Sequence, residues 1–120
     1  MLWLLVLAAC SSPAANNAGL AEDGESLFKK TVLGTSAGCA TCHSTEPGTI
    51  IVGPSLAGIG TLAAQRVEGI SAEEYLRQSI TEPDAYLLEG YPKGVMPSKY
   101  ATDLSPEEID GLTAYLLTLK

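Results

Sequence analysis

The hydrophobic residues of the chain recur at helical spacing in two segments, each of which begins with a helix-capping signal. Ser71 is followed three positions later by Glu74, and apolar residues continue at helical intervals until Pro83 ends the pattern. Ser105 and Glu108 repeat this capping pattern, with a proline at the first helical position between them. The apolar face of the second segment comprises Ile109, Leu112, Leu116 and Leu119. These two segments are therefore predicted to be helices.

A third helix is predicted near the start of the folded part of the chain. Asp23 can cap a helix over residues 24–33, which Gly34 is well placed to end. Residues 44–64 are rich in glycine and proline and are predicted to be loop, with at most one turn of helix after Pro54. No segment sustains the alternation of a strand, so we expect an all-α fold of about four helices and long loops.

The first residues have the pattern of an export signal. Residues 1–9 form an apolar run that is too short to span a bilayer but has the length of a signal-peptide core. The run ends in Leu-Ala-Ala-Cys10, which resembles the bacterial lipobox and predicts a lipid-modified Cys10. No Lys or Arg precedes Lys29, and the alternatives for this segment are a buried helix or a free thiol. We expect a signal peptide over 1–9, a lipidated and flexible tether over 10–22, and one domain over 23–120.

The charge of the chain restricts its partners. Fourteen acidic and seven basic residues give a formal net charge of −7, which argues against nucleic acid as a partner. If electrostatics steer a protein partner, its docking face should be basic and association should depend on salt. The charge would equally be explained by a need for solubility.

The chemistry of the chain is concentrated in Cys39-Ala40-Thr41-Cys42-His43. Two cysteines separated by two residues and followed directly by a histidine are typical of a covalent attachment site for haem c. One turn of backbone places both sulfurs against the macrocycle, and the adjacent imidazole then projects at the iron. His43 is the only histidine in the chain and is therefore the predicted iron ligand.

The Cys39–Cys42 pair has three alternative uses. A structural zinc site needs four ligands, and the only further thiol is Cys10 in the signal region. A thioredoxin-like redox pair expects a βαβ context that the pattern does not show. A plain disulfide is possible in an exported protein, but it leaves His43 without a role.

The second iron ligand is predicted to be Met96, which is the only methionine besides Met1. Glycine and proline flank it closely in Gly94-Val95-Met96-Pro97, so the backbone is held in a defined loop. A lone methionine more often fills a gap in a core. Axial ligation by histidine and methionine raises the potential of a haem and leaves no open site, which suits electron transfer.

The order of these motifs resembles a class I cytochrome c over residues 24–120. The resemblance implies that an N-terminal helix with Gly24 and Phe28 crosses a C-terminal helix with Leu112 and Tyr115. It also implies that the carbonyl of Pro54 accepts the second ring N–H of His43.

A narrower resemblance rests on the segments Tyr75–Ile80, Ala85–Tyr86, Gly90–Pro92 and Val95–Pro97. They are similar to the c domain fused to subunit II of certain oxidases, and to the mono-haem lipoprotein subunit of the quinol-oxidising alternative complex III. The second fits better because Cys10 resembles a lipidation site. The expected role is a one-electron carrier, not an enzyme, on the outer face of the cytoplasmic membrane, which exchanges electrons with redox proteins and has no small-molecule substrate.

Two points remained open at the level of sequence. Tyr91 and Tyr100, which flank the methionine loop, are candidates to reach the haem or its propionates through their hydroxyls, as are Arg66 and Arg77 through their charge. The alternative is that the tyrosines are half-buried against the domain surface and the arginines lie in solvent. The alternative functions are a haem enzyme or gas sensor with a labile sixth ligand, or a c subunit of another oxidase or dehydrogenase complex.

Overall fold

The computed structural model describes residues 13–120, which form a helical fold with one short hairpin. The three long helices are α1 (Pro13–Phe28), α4 (Ala72–Thr81) and α6 (Pro106–Leu117). Single turns form α2 (Cys39–Cys42), α3 (Ile59–Leu62) and α5 (Tyr100–Asp103), and a 3-10 turn spans Ala63–Gln65. Strands β1 (Val32–Leu33) and β2 (Ser36–Ala37) pair antiparallel. The predicted all-α class is confirmed, with the long loops that were expected.

Both predicted capping boxes are formed. Ser71 Oγ accepts the backbone N–H of Glu74 at 3.1 Å, and the Glu74 carboxylate accepts the N–H of Ser71 at 2.7 Å. Ser105 and Glu108 make the same reciprocal pair at 3.1 and 2.8 Å. These bonds satisfy N–H groups that have no partner within a helix, and so they fix where α4 and α6 begin.

Helix α1 begins earlier than predicted. It starts at Pro13 rather than near Asp23, so the prediction of a flexible tether over 10–22 is wrong for residues 13–22. Proline suits the first helical position, and the alanines and Leu20 that follow favour helix in spite of their neighbouring asparagines. The predicted signal peptide and Cys10 lie outside the described residues. Within residues 13–120 no helix is both long and apolar enough to cross a bilayer.

The predicted crossing of the first and last helices is present. A Cβ at Gly24 would overlap the carbonyl oxygen of Gly111, so the two backbones touch where both helices carry glycine. One turn further on, the rings of Phe28 and Tyr115 pack with centroids 5.3 Å apart and planes at 57°. Leu112 is 1% exposed beneath them. This crossing closes one end of the core.

Helix α1 ends at Phe28, five residues before the predicted end, because the chain turns into the hairpin. Gly34 does not cap the helix; it adopts φ 64° in the turn between β1 and β2, a conformation that glycine reaches without strain. The β-branched Thr31 and Val32 favour extended backbone here, and Gly38 N–H donates to the Thr31 carbonyl at 2.8 Å. The hairpin delivers the chain to Cys39.

Candidate haem site

The two cysteines lie on the single turn α2. Gly38 precedes the turn in extended conformation, and a Cβ there would overlap the carbonyl oxygen of Lys30, so only glycine fits. The N–H of His43 donates to the Cys39 carbonyl at 2.9 Å and closes the turn. Cys39 and Cys42 form no disulfide with each other and are partly exposed. Burial raises the pKa of the Cys39 thiol to about 11.

The imidazole of His43 is held by the loop that follows it. The backbone N–H of Gly53 donates to the Cys42 carbonyl at 2.8 Å, and Leu56 N–H donates to the Ser44 carbonyl at 2.7 Å. These bonds bring the Pro54 carbonyl to 2.8 Å from His43 Nδ1. A carbonyl only accepts, so the proton lies on Nδ1 and the lone pair of Nε2 is free to bind a metal.

Gly53 has a role in the site that the sequence did not reveal. A Cβ at this position would lie 2.5 Å from His43 Cε1 and 2.8 Å from Nδ1. Carbon atoms in favourable contact are about 3.5–4.0 Å apart, so the imidazole occupies space that any side chain would take. The glycine and the proline after it therefore fix the plane and the tautomer of the ring.

His43 and Met96 line the same cleft. The cleft encloses about 1350 Å³, its open mouth included, and its walls are mainly apolar. The buried core residues in its lining are Phe28, Ile59, Tyr75, Leu76, Ile80, Tyr100, Leu112 and Leu116. Cys39, Cys42 and Pro54 line it as well. An apolar cleft with two thiols, one free imidazole nitrogen and one thioether has the donor set that a covalent haem requires, and the residues fit this group.

Met96 lies in an irregular loop rather than in a helix. Gly94 adopts φ 81°, and its N–H donates to Asp84 Oδ1 at 3.0 Å. The Met96 side chain is partly buried and packs against the core. The role of Asp84 in holding this loop could not be predicted from the sequence.

Three of the four candidates for contacts with the haem or its propionates line the cleft, and one does not. Tyr91 and Arg66 line the cleft and are half-buried, and their contacts with the haem or its propionates stay predictions. Tyr100 also lines the cleft, but its hydroxyl donates to the Ala37 carbonyl, and burial raises its pKa to about 12. The prediction for Arg77 is wrong, because its guanidinium pairs with Asp110 at 2.6 Å and with Glu73 at 3.3 Å, and it is not among the cleft residues.

Metal binding by protein side chains alone has no site in the described part of the chain. No group of three or more His, Cys, Asp or Glu side chains between residues 13 and 120 is arranged to hold a metal ion.

Comparison with known proteins agrees with this site. The family model for cytochrome c matches residues 21–120. The chain belongs to the cytochrome c family. Cytochrome c2 iso-2 of Magnetospirillum molischianum is 33% identical over 88 residues, which is 68% of this chain and 91% of the relative. Cytochrome c2 iso-2 of Magnetospirillum fulvum is 36% identical over 89 residues, with the same coverage. Cytochrome c oxidase subunit 2 of Bacillus sp. (strain PS3) is 32% identical over 103 residues, which is 84% of this chain and 26% of that protein.

As a cytochrome c, the protein contains covalently bound haem c and transfers electrons between redox proteins; it is not an enzyme. A single haem is consistent with one attachment motif in 120 residues. The roles of Cys39, Cys42, His43 and Met96 as individual haem contacts stay predictions.

Proposed function

We propose that the chain is a membrane-tethered electron carrier in which His43 and Met96 are the axial ligands of one haem iron. The observation that carries this proposal is the His43–Pro54 hydrogen bond, which leaves Nε2 free in the same apolar cleft that Met96 lines. The haem supplies a one-electron couple when bound. Cys39 and Cys42 hold it through thioether bonds, and Pro54 keeps the imidazole in one tautomer and raises its basicity.

The surroundings of the cleft favour electron transfer over chemistry on a bound substrate. Met96 lines the cleft, and as an iron ligand it would fill the position that a peroxidase or gas sensor leaves open. His43 is the only histidine, so no second imidazole is available for proton transfer. Arg66 is the cleft residue whose charge suits a haem propionate.

The proposed tether is a lipid on Cys10 at the outer face of the cytoplasmic membrane. Only residues 11 and 12 separate Cys10 from α1, which runs directly into the cytochrome domain. A lipidated chain should be recovered with membranes, and its intact mass should contain one haem and one lipid. Cys10→Ser should lack the lipid mass and appear in the soluble fraction. A wild-type chain that retains Met1 would contradict the lipidation.

We further propose that the chain serves a quinol-oxidising complex of the alternative complex III type. The supporting features are the lipobox at Cys10 and the similar segments from Tyr75 to Pro97. The second candidate is electron delivery to a terminal oxidase, which the similarity to the Bacillus oxidase subunit favours.

Membranes that contain the native chain distinguish these two functions. With the oxidases blocked by cyanide, an added quinol should reduce the haem of this chain before any added soluble cytochrome. If quinol reduces the haem only by way of another cytochrome, the result would favour electron delivery to the oxidase. It would refute the proposal that the chain belongs to a quinol-oxidising complex.

A further inference from the structure

The loop that carries Met96 is held at its two ends rather than along its length. At one end, the Gly94 N–H donates to Asp84 Oδ1 at 3.0 Å. Residues 95–98 make no backbone hydrogen bond to other segments of the described chain, and Pro97 has no N–H to donate. Apart from the packing of its own side chain, the position of Met96 therefore depends on the Asp84 contact and on the contacts that hold α5, which begins at Tyr100.

Helix α5 is fastened to the hairpin that leads into the haem-attachment turn. The hydroxyl of Tyr100 donates to the carbonyl oxygen of Ala37, two residues before Cys39, and Tyr100 is only 3% exposed. Asp103 Oδ2 accepts the backbone N–H of Thr35 at 2.9 Å and the Thr35 hydroxyl at 2.5 Å. We call these contacts, Tyr100–Ala37 and Asp103–Thr35, the α5 latch.

We propose that Tyr100 is a positioning residue whose hydroxyl ties the methionine loop to the haem-attachment segment and so controls how readily Met96 leaves the iron. The inference rests on the proposed function, since it takes Met96 to be a ligand. Met96 can leave the iron only if its loop moves relative to α2. The Gly94–Asp84 hydrogen bond and the α5 latch both oppose that movement. If the proposal is right, packing of the Tyr100 ring without its hydroxyl does not hold the methionine loop.

The size of the effect follows from the hydrogen bond that is removed. Loss of one typical hydrogen bond changes a conformational equilibrium by about fivefold. An added ligand binds the iron only in molecules whose loop is open, so its apparent affinity rises in proportion to the open fraction. Tyr100→Phe keeps the buried ring and removes only the donor.

The experiment is a titration of purified ferric holoprotein with imidazole, followed by the loss of the charge-transfer band between methionine sulfur and iron. We expect Tyr100→Phe to bind imidazole about fivefold more tightly than the wild type. Tyr115→Phe is the matched control, because it removes a hydroxyl from another core tyrosine, which packs on Phe28 and is not among the cleft residues. It should bind imidazole like the wild type. Asp103→Ala removes the other contact of the α5 latch and should also bind imidazole more tightly than the wild type. It replaces Tyr100→Phe in the experiment if that variant does not fold.

The outcomes separate the inference from the function on which it rests. A wild-type protein without the charge-transfer band would overturn ligation by Met96, and the latch inference with it. A normal band with unchanged imidazole affinity in Tyr100→Phe and Asp103→Ala would overturn the latch alone. Equal tightening in Tyr100→Phe and Tyr115→Phe would also overturn it, since the effect would then reflect general stability.

Discussion

Replacing Gly53 with alanine presses a methyl group against the imidazole of His43. The new Cβ would start 2.5 Å from Cε1 and 2.8 Å from Nδ1. To reach a carbon–carbon separation of about 3.5 Å, the ring or the loop must move by roughly 1 Å. The hydrogen bond from Nδ1 to the Pro54 carbonyl is 2.8 Å long, and a displacement of that size takes it beyond bonding range.

Two measurable changes follow from this displacement. Overpacking of this kind lowers the free energy of unfolding by about 1–3 kcal/mol. The lost hydrogen bond also makes His43 a weaker donor to ferric iron, so the midpoint potential should rise by tens of millivolts. For a one-electron couple, about 59 mV corresponds to a tenfold change in the redox equilibrium constant.

The assay combines urea unfolding of the ferric holoprotein with a redox titration of the same sample. Gly19→Ala is the matched control, because a Cβ at Gly19 in α1 meets no atom within 4 Å. That change should leave the potential unchanged and stabilise the helix by about 0.5–1 kcal/mol. Wild-type stability and potential in Gly53→Ala would refute the claim that the close approach of Gly53 positions His43.

Three further predictions concern the scaffold. Hydrogen bonds from Thr35 lower the pKa of Asp103, so its contribution to stability is present above its unfolded pKa of about 4 and is lost as pH falls through the lower folded value. The free energy of unfolding in urea should therefore fall less steeply below about pH 4 in Asp103→Asn than in the wild type. Gly24→Ala would drive a methyl group into the Gly111 carbonyl and should cost about 1–3 kcal/mol by the same unfolding assay. Arg77→Gln should cost less than about 1 kcal/mol and less still in high salt, because its ion pairs are largely exposed.

The parts of the fold that could be predicted are those with local signals. The capping boxes at Ser71 and Ser105 each need only four consecutive residues, so the starts of α4 and α6 were predicted correctly. The haem-attachment motif is equally local. The crossing of α1 with α6 was expected from a family resemblance, and the contact of Gly24 with Gly111 explains it physically, since only glycine allows that approach.

The parts that could not be predicted depend on residues far apart in the chain. The hydrogen bond between Tyr100 and Ala37 joins residues 63 positions apart, and the sequence around neither residue predicts it. The sequence predicts that Gly34 ends a helix, because glycine is common at that position, whereas in the structure Gly34 lies in a hairpin turn. The start of α1 was missed because a polar, alanine-rich segment has a composition common to tethers and helices.

The most direct test of the account is the absorption spectrum of the ferric holoprotein, compared between the wild type and Met96→Ala. The account predicts that the wild type shows the charge-transfer band of methionine-ligated haem, and that the variant loses this band while the haem stays covalently attached. Identical spectra in the two proteins would show that Met96 does not bind the iron and would contradict the proposed His43–Met96 electron carrier.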